Sequence, residues 1–215
     1  MKKSDSISLS KYIILIVILG AIAFVAGIWL GHSQQKPLAE QVKVATVLPQ
    51  GRVLSAFQLK NSNGQPFNNQ SLVGHWTFLF FGFTNCPNIC PTTMATLSEM
   101  YKKLAAENQQ PMPQIALISL DPKRDTLSVL QKYVTAFNPA FQGATGNNAN
   151  LDKLTKELSI LYMKIAEPGA DPDDYQIDHS GTLFLIDPKG DLSAIFSMPH
   201  DADSIATDYA TIANH

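Results

Sequence analysis

The chain has only two cysteines, Cys86 and Cys90, and they stand close together in Phe83-Thr84-Asn85-Cys86-Pro87-Asn88-Ile89-Cys90-Pro91. As a structural staple such a pair is poor, because the stabilisation from a disulfide grows with the loop it closes. Close thiols are suited instead to electron exchange or to holding a soft metal ion. Residues i and i+4 share one face of a helix, so both sulfurs can converge on one point. A helix N-terminus beside them favours the thiolate. A structural zinc site takes four protein ligands, and there is no second cysteine pair to supply them. The spacing alone leaves metal binding and dithiol exchange both open.

The elements around the pair are legible. Trp76 to Phe83 is a near-continuous apolar run, as expected of a central strand buried on both faces. Pro91 fits the first turn of a helix, where its missing N–H costs nothing. Met94, Leu97, Met100, Tyr101 and Leu104 continue that helix at helical spacing. Val53 to Leu59 reads as a strand leading through a Gly64 turn into a second short one. Gln114 to Leu120 is a further buried strand. Asp121-Pro122 opens a helix through Phe137, with Asp121 as its expected N-cap, although Asp121 and Arg124 together also resemble a catalytic pair. Phe141 to Thr145 is a short strand, and Leu151 to Leu161 a third helix running into Tyr162-Ile165. Gly169 to Asp174 is an acidic loop. Thr182 to Ile186 and Leu192 to Phe196 form a hairpin, and Ser204 to Ile212 a terminal helix. Strands alternating with helices and closing on a hairpin define an α/β domain. A dithiol between a buried strand and a helix start gives it the thioredoxin-like arrangement.

A third ligand would separate metal from redox chemistry, and there are five histidines. His32 lies at the end of the N-terminal apolar run, while His200 and His215 read as solvated terminal side chains. His75 precedes the strand that leads to Cys86, and so belongs at that strand's far end. His179, in Asp178-His179-Ser180-Gly181, enters the strand that a thioredoxin-like fold packs beside its dithiol. Thioredoxins carry a cis-proline there; this chain has a histidine and no proline. That weakens the oxidoreductase reading and favours a Cys86, Cys90, His179 metal site. Asp178 is a candidate to orient the imidazole, or else a loop cap. Two thiolates and an imidazole suit Cu(I), while Cu(II) calls for a further N or O ligand. Met94 and Met163 could add a thioether, but both sit in apolar periodic stretches and read as core.

The N-terminus sets the compartment. Tyr12 to Leu30 runs nineteen residues without a charge, about the length that spans a bilayer. Lys2, Lys3 and Lys11 precede it, which keeps residues 1–11 in the cytoplasm and exports the rest. Trp29 closes the run like an interfacial anchor, and the run is longer than a signal-peptide core. The expected organisation is a cytoplasmic N-terminus at 1–11, a transmembrane anchor at 12–30, a tether at 31–48 and the thioredoxin-like domain at 49–215. The setting expected is a bacterial inner membrane crossed once, with the domain in the periplasm. That compartment is oxidising, so the dithiol can persist as a disulfide unless kept reduced. The net charge is −2, and no basic stripe recommends a nucleic-acid partner.

At GFTNCPNICPTTM, ISLDPKRDTLSVLQKYVTAFNP and DYQIDHSGTLFLIDPKGDL the chain resembles the Sco/SenC family of copper-binding assembly proteins, from about Val53 to the C-terminus. The resemblance implies a thioredoxin-like fold with copper held by Cys86, Cys90 and His179. It also implies a role in building the dinuclear copper centre of cytochrome c oxidase, by delivering copper or by reducing the cysteines of the oxidase subunit. The implied partners are that copper-receiving subunit, other copper chaperones and thiol reductants. Where many members carry Asp between the cysteines, this chain has Asn88, which removes a local negative charge but no metal ligand.

Overall fold

The computed structural model describes residues 9–33 (side chains for 11–28), 37–166, 171 and 174–215. Most of the cytoplasmic segment expected at 1–11 lies outside the described residues. So do the side chains of Trp29 and His32, part of the tether and most of the acidic loop.

The chain forms two units, residues 1–37 and 38–215. The first holds one helix, α1 (Leu9–Ser33), whose 25 residues rise about 37 Å, enough to cross a bilayer core of about 30 Å. Its Lys11–Ile28 stretch is long and apolar enough for that crossing.

The second unit begins with a short helix, α2 (Leu38–Gln41), and strand β1 (Ala45–Val53). These residues were expected to be tether up to 48. The strand starts early because the carboxylate of Asp208, fully buried, accepts hydrogen bonds from the backbone N–H groups of Lys43, Val44 and Ala45 at 2.7–3.0 Å. β1 carries Pro49 and a register break between Val47 and Arg52, features a strand tolerates at a sheet edge. The remaining strands are β2 (Gln58–Asn61), β3 (Pro66–Asn68), β4 (Thr77–Gly82), β5 (Gln114–Ser119), β6 (Gln142–Thr145), β7 (Tyr162–Ile165), β8 (Gln176–His179), β9 (Leu183–Ile186) and β10 (Asp191–Phe196). Helices α3 (Ile89–Ala106), α4 (Leu127–Phe137), α5 (Asn148–Glu157) and α6 (Ala202–Ala213) complete the unit.

Eight strands make one sheet in the order β1-β10-β9-β4-β5-β6-β2-β3. β4, β5 and β6 run parallel, and β9 returns antiparallel to β4. All six residues of β4 are buried, which is why its sequence does not alternate. Phe78 at its middle packs against Phe196 and Tyr209 at ring-centroid distances of 5.4 and 5.8 Å. Helix α3 packs against α6 and α4 against β6, so the α/β domain expected from the sequence is the one observed.

Three local expectations change. The strand expected over Val53 to Leu59 is interrupted, because β1 ends at Val53 and β2 begins at Gln58. The helix expected through Leu161 ends at Glu157, and Tyr162–Ile165 pairs antiparallel with Gln176–His179 as a separate two-stranded sheet. Met163 therefore lies on an exposed strand, 62% accessible, rather than in the core; Met94 is core, fully buried. Helix α4 starts at Leu127 and its N-cap is Thr126, whose side chain accepts from the Val129 N–H. Asp121 is not a cap. It is fully buried, ion-paired with Arg124 and bonded by the Tyr175 hydroxyl at 2.6 Å.

Candidate metal site

Three elements meet at the dithiol. β4 ends at Gly82, the loop from Phe83 carries Cys86, and α3 begins at Ile89 with Cys90 in its first turn. Asp125 fixes the loop from below. Its carboxylate accepts from the Thr84 N–H at 3.0 Å, the Thr84 hydroxyl at 2.5 Å and the Ser119 hydroxyl at 2.6 Å. Gly82 makes room for the second sulfur, since a Cβ there would lie 2.6 Å from Cys90 Sγ. Neither residue stands out in the sequence as part of a site. Their partners are set by how the ends of β4 and β5, paired side by side, meet the start of α3, not by local spacing.

The two cysteines are unequal. Cys86 is half-buried and Cys90 is fully buried. The Cys90 N–H at the start of α3 donates to Cys86 Sγ at 3.4 Å, the helix N-terminal effect expected from the sequence. A hydrogen bond from the Cys90 thiol, outweighing the effect of burial, holds the Cys86 thiol down to about 4. The same bond and burial push Cys90 up. Ionisation of the pair is thus favoured at Cys86 over Cys90.

His179 closes β8 and is 7% exposed. Its ring sits against Phe80 and Phe83, with centroids 6.1 and 5.9 Å away. Nδ1 lies 2.9 Å from the Ser180 carbonyl oxygen. A carbonyl only accepts, so Nδ1 carries the proton and, in the neutral ring, Nε2 presents its lone pair. Nε2 lies 3.3 Å from Cys90 Sγ. Asp178 is not the orienting partner, because strand alternation turns it to solvent on the other face of β8.

The ligand atoms of Cys86, Cys90 and His179 lie within 4.8 Å of one another. An ion bonded to each at about 2.0–2.3 Å spans up to about 4.6 Å, so small adjustments close the cluster around one. A cavity of about 290 Å³ opens beside it, lined in part by Cys86, Asn88, Ile89, Ile165 and Ile177. The Asn88 side chain makes no cap bond to α3 and lies exposed there. His75 is exposed and outside the cluster. His200 is half-buried and bonded to the Gly181 carbonyl, not solvated as expected. Arg124 lies over the Tyr175 ring at 3.7 Å and over Phe83 at 5.8 Å. It therefore ties the hairpin that carries His179 to the loop that carries Cys86.

Fold and site together define a thioredoxin-like domain whose dithiol is joined by a histidine, a donor set of two sulfurs and one nitrogen. The family model described as SCO1/SenC matches residues 46–214, and the chain belongs to that family. A SCO2-like protein of Rickettsia felis is 33% identical over 188 residues, covering 87% of this chain and 88% of the relative. The crystal structure of Arabidopsis thaliana ScoI with copper bound is 31% identical with a TM-score of 0.69, covering 75% of this chain and 98% of that one. BsSco is described as carrying a disulfide switch and as a member of the Sco family of cytochrome c oxidase assembly proteins. At 23% identity it shares the fold, with a TM-score of 0.60 over 79% of this chain and 98% of its own.

Proposed function

We propose that this protein is a membrane-anchored copper metallochaperone that assists assembly of the dinuclear copper centre of cytochrome c oxidase. The observation that carries the reading is the convergence of Cys86, Cys90 and His179 within 4.8 Å, with the lone pair of Nε2 turned into the cluster. Two thiolates and an imidazole are a soft donor set suited to Cu(I). Cu(II) takes a further oxygen or nitrogen, from water or backbone. The copper-bound relative supports copper as the cargo. The partners are the copper-receiving oxidase subunit, other copper chaperones that load the site, and thiol reductants that keep it open. Helix α1 is the anchor in this reading, in a bacterial inner membrane, and Lys2, Lys3 and Lys11, all ahead of the uncharged run from Tyr12, favour a periplasmic domain.

A second reading, thiol–disulfide exchange, is favoured by the asymmetry of the pair. The Cys86 thiolate, half-exposed, attacks a partner disulfide and releases one partner thiolate. Cys90 then loses its proton and attacks Cys86 Sγ in the mixed disulfide, freeing the second partner thiol. The partner gains the two electrons that Cys86 and Cys90 lose on forming their own disulfide. The two readings are linked, because a disulfide offers no thiolate to Cu(I).

The deciding experiment is copper titration of the reduced, detergent-solubilised full chain. One copper per chain is expected, and none after oxidation of the pair or in Cys86→Ser and Cys90→Ser. Equal uptake by oxidised and reduced protein would sink the metallochaperone reading. Oxidase activity in cells carrying the same variants then separates delivery from reduction.

Gly82→Ala tests the site without touching a ligand. Cys90 has no exposed space to retreat into, so the added methyl drives its sulfur out of place. Overpacking of this kind costs about 1–3 kcal/mol. Copper affinity should fall by roughly 5–100-fold, with both cysteines still titratable after unfolding. Wild-type affinity in this variant would show that the position of Cys90 Sγ does not matter.

A further inference from the structure

The segment that follows His179 is held by residues that belong to no ligand set. His200 lies on the connection between β10 and α6, and its Nε2 is 2.6 Å from the Gly181 carbonyl oxygen. The carbonyl accepts, so Nε2 carries the proton and Nδ1 does not. That Nδ1 is buried and has no hydrogen-bond partner among the described residues. Among the described residues the hydrogen bond to Gly181 is thus the ring's one polar contact. Met198 and Ile89 also pack closely on Gly181. A Cβ there would lie 2.3 Å from Met198 Sδ and 3.1 Å from Ile89 Cγ2, so only glycine lets these side chains close on the backbone.

This clamped backbone has a second task. The Ser180 carbonyl, one peptide before that of Gly181, accepts from His179 Nδ1–H at 2.9 Å. That bond selects the tautomer whose free Nε2 faces Cys90 Sγ. If the Ser180–Gly181 peptide turned, its carbonyl would swing away, and the proton would be free to move to Nε2 and block it. Outer partners of this kind govern ligand orientation and are typically worth 10–100-fold in metal affinity.

We propose that His200 is a positioning residue for the site: its hydrogen bond to the Gly181 carbonyl, with Met198 packed alongside, holds the Gly181–Thr182 peptide and so restrains the adjoining Ser180–Gly181 peptide, whose carbonyl fixes the tautomer and direction of His179. The inference rests on the copper reading for its consequence, but its cause is visible without metal.

The test uses reduced, metal-free full chain labelled with 15N-histidine, in which long-range proton–nitrogen correlations read the His179 tautomer directly. Wild type is expected to show His179 protonated at Nδ1. His200→Leu should give mixed tautomers at His179 and about 10–100-fold weaker copper binding. His200→Gln, whose amide can donate in place of Nε2, should restore both. His200→Asn, too short to place a donor there, should behave as Leu does and decides the matter if the Leu variant does not fold. An unchanged His179 tautomer in the loss variants overturns the proposal, whatever copper does, and so does failure of Gln to restore it. A wild-type chain that shows the single tautomer, loses it in the loss variants, and yet binds no copper would sink the metallochaperone reading and leave the positioning role standing.

Discussion

His179→Ala is expected to bind copper at least about 100-fold more weakly than wild type while keeping its fold. Loss of a partner that merely orients a ligand already costs about 10–100-fold, and this substitution removes a ligand outright. Two sulfurs remain, one on the Phe83–Asn88 loop and one in the first turn of α3, with the bond between Cys90 N–H and Cys86 Sγ untouched. The dithiol therefore survives. The variant should still form its disulfide and still react with alkylating agents at Cys86 before Cys90, which is fully buried. The fold should hold because the imidazole lies at the end of a two-stranded hairpin, where it packs on Phe80 and Phe83 and its polar contacts are to Ser180 and to the cysteines of the site itself. His179→Leu fills that space and separates packing from ligation. Copper retention equal to wild type in both variants would remove His179 from the site and return the pair to redox chemistry alone.

Asp208→Ala is expected to cost about 3 kcal/mol of stability, a fall in Tm of about 6–12 °C for a domain of this size. The buried carboxylate collects the N–H groups of three successive residues, Lys43, Val44 and Ala45. Bonds to a charged acceptor contribute about 1.5–3 kcal/mol each. The total loss is smaller than their sum, because Lys43 and Val44 are exposed and their amides regain water when released. Amide exchange at residues 43–47 should accelerate ahead of the rest of the sheet. Asp208→Asn keeps one acceptor oxygen and should fall between the two. A stability change under about 0.5 kcal/mol would mean that β1 is held at the sheet edge by its pairing with β10 alone.

Legibility in the sequence followed the range of the interactions. The buried run of β4, the helical spacing after Cys90 and the closing hairpin were all readable because each is a pattern within one element. Asp-Pro before an apolar helix is a local cap signal, which Asp121 does not fulfil. Its actual partners are Arg124, on the next turn of chain, and Tyr175, 54 residues on. Met163 reads as core because Leu151, Leu154, Leu158 and Leu161 continue a helical period past Glu157, where the chain leaves the helix. His200 passed for a solvated side chain because its partner is a backbone carbonyl, which carries no sequence signature.

The sequence by itself determined which atoms can do the chemistry. Two thiols at one spacing, an imidazole ahead of a strand and an apolar N-terminal segment are properties of residue type and order. Only the tertiary structure decided how those atoms are presented. Gly82 admits the Cys90 sulfur, Asp125 pins the loop, and the Ser180 carbonyl, held through Gly181, aims Nε2 at the thiols. The physical reason is that ligation needs lone pairs directed to one point. Direction is fixed by hydrogen bonds and close packing between segments far apart in the chain, which composition and spacing do not record.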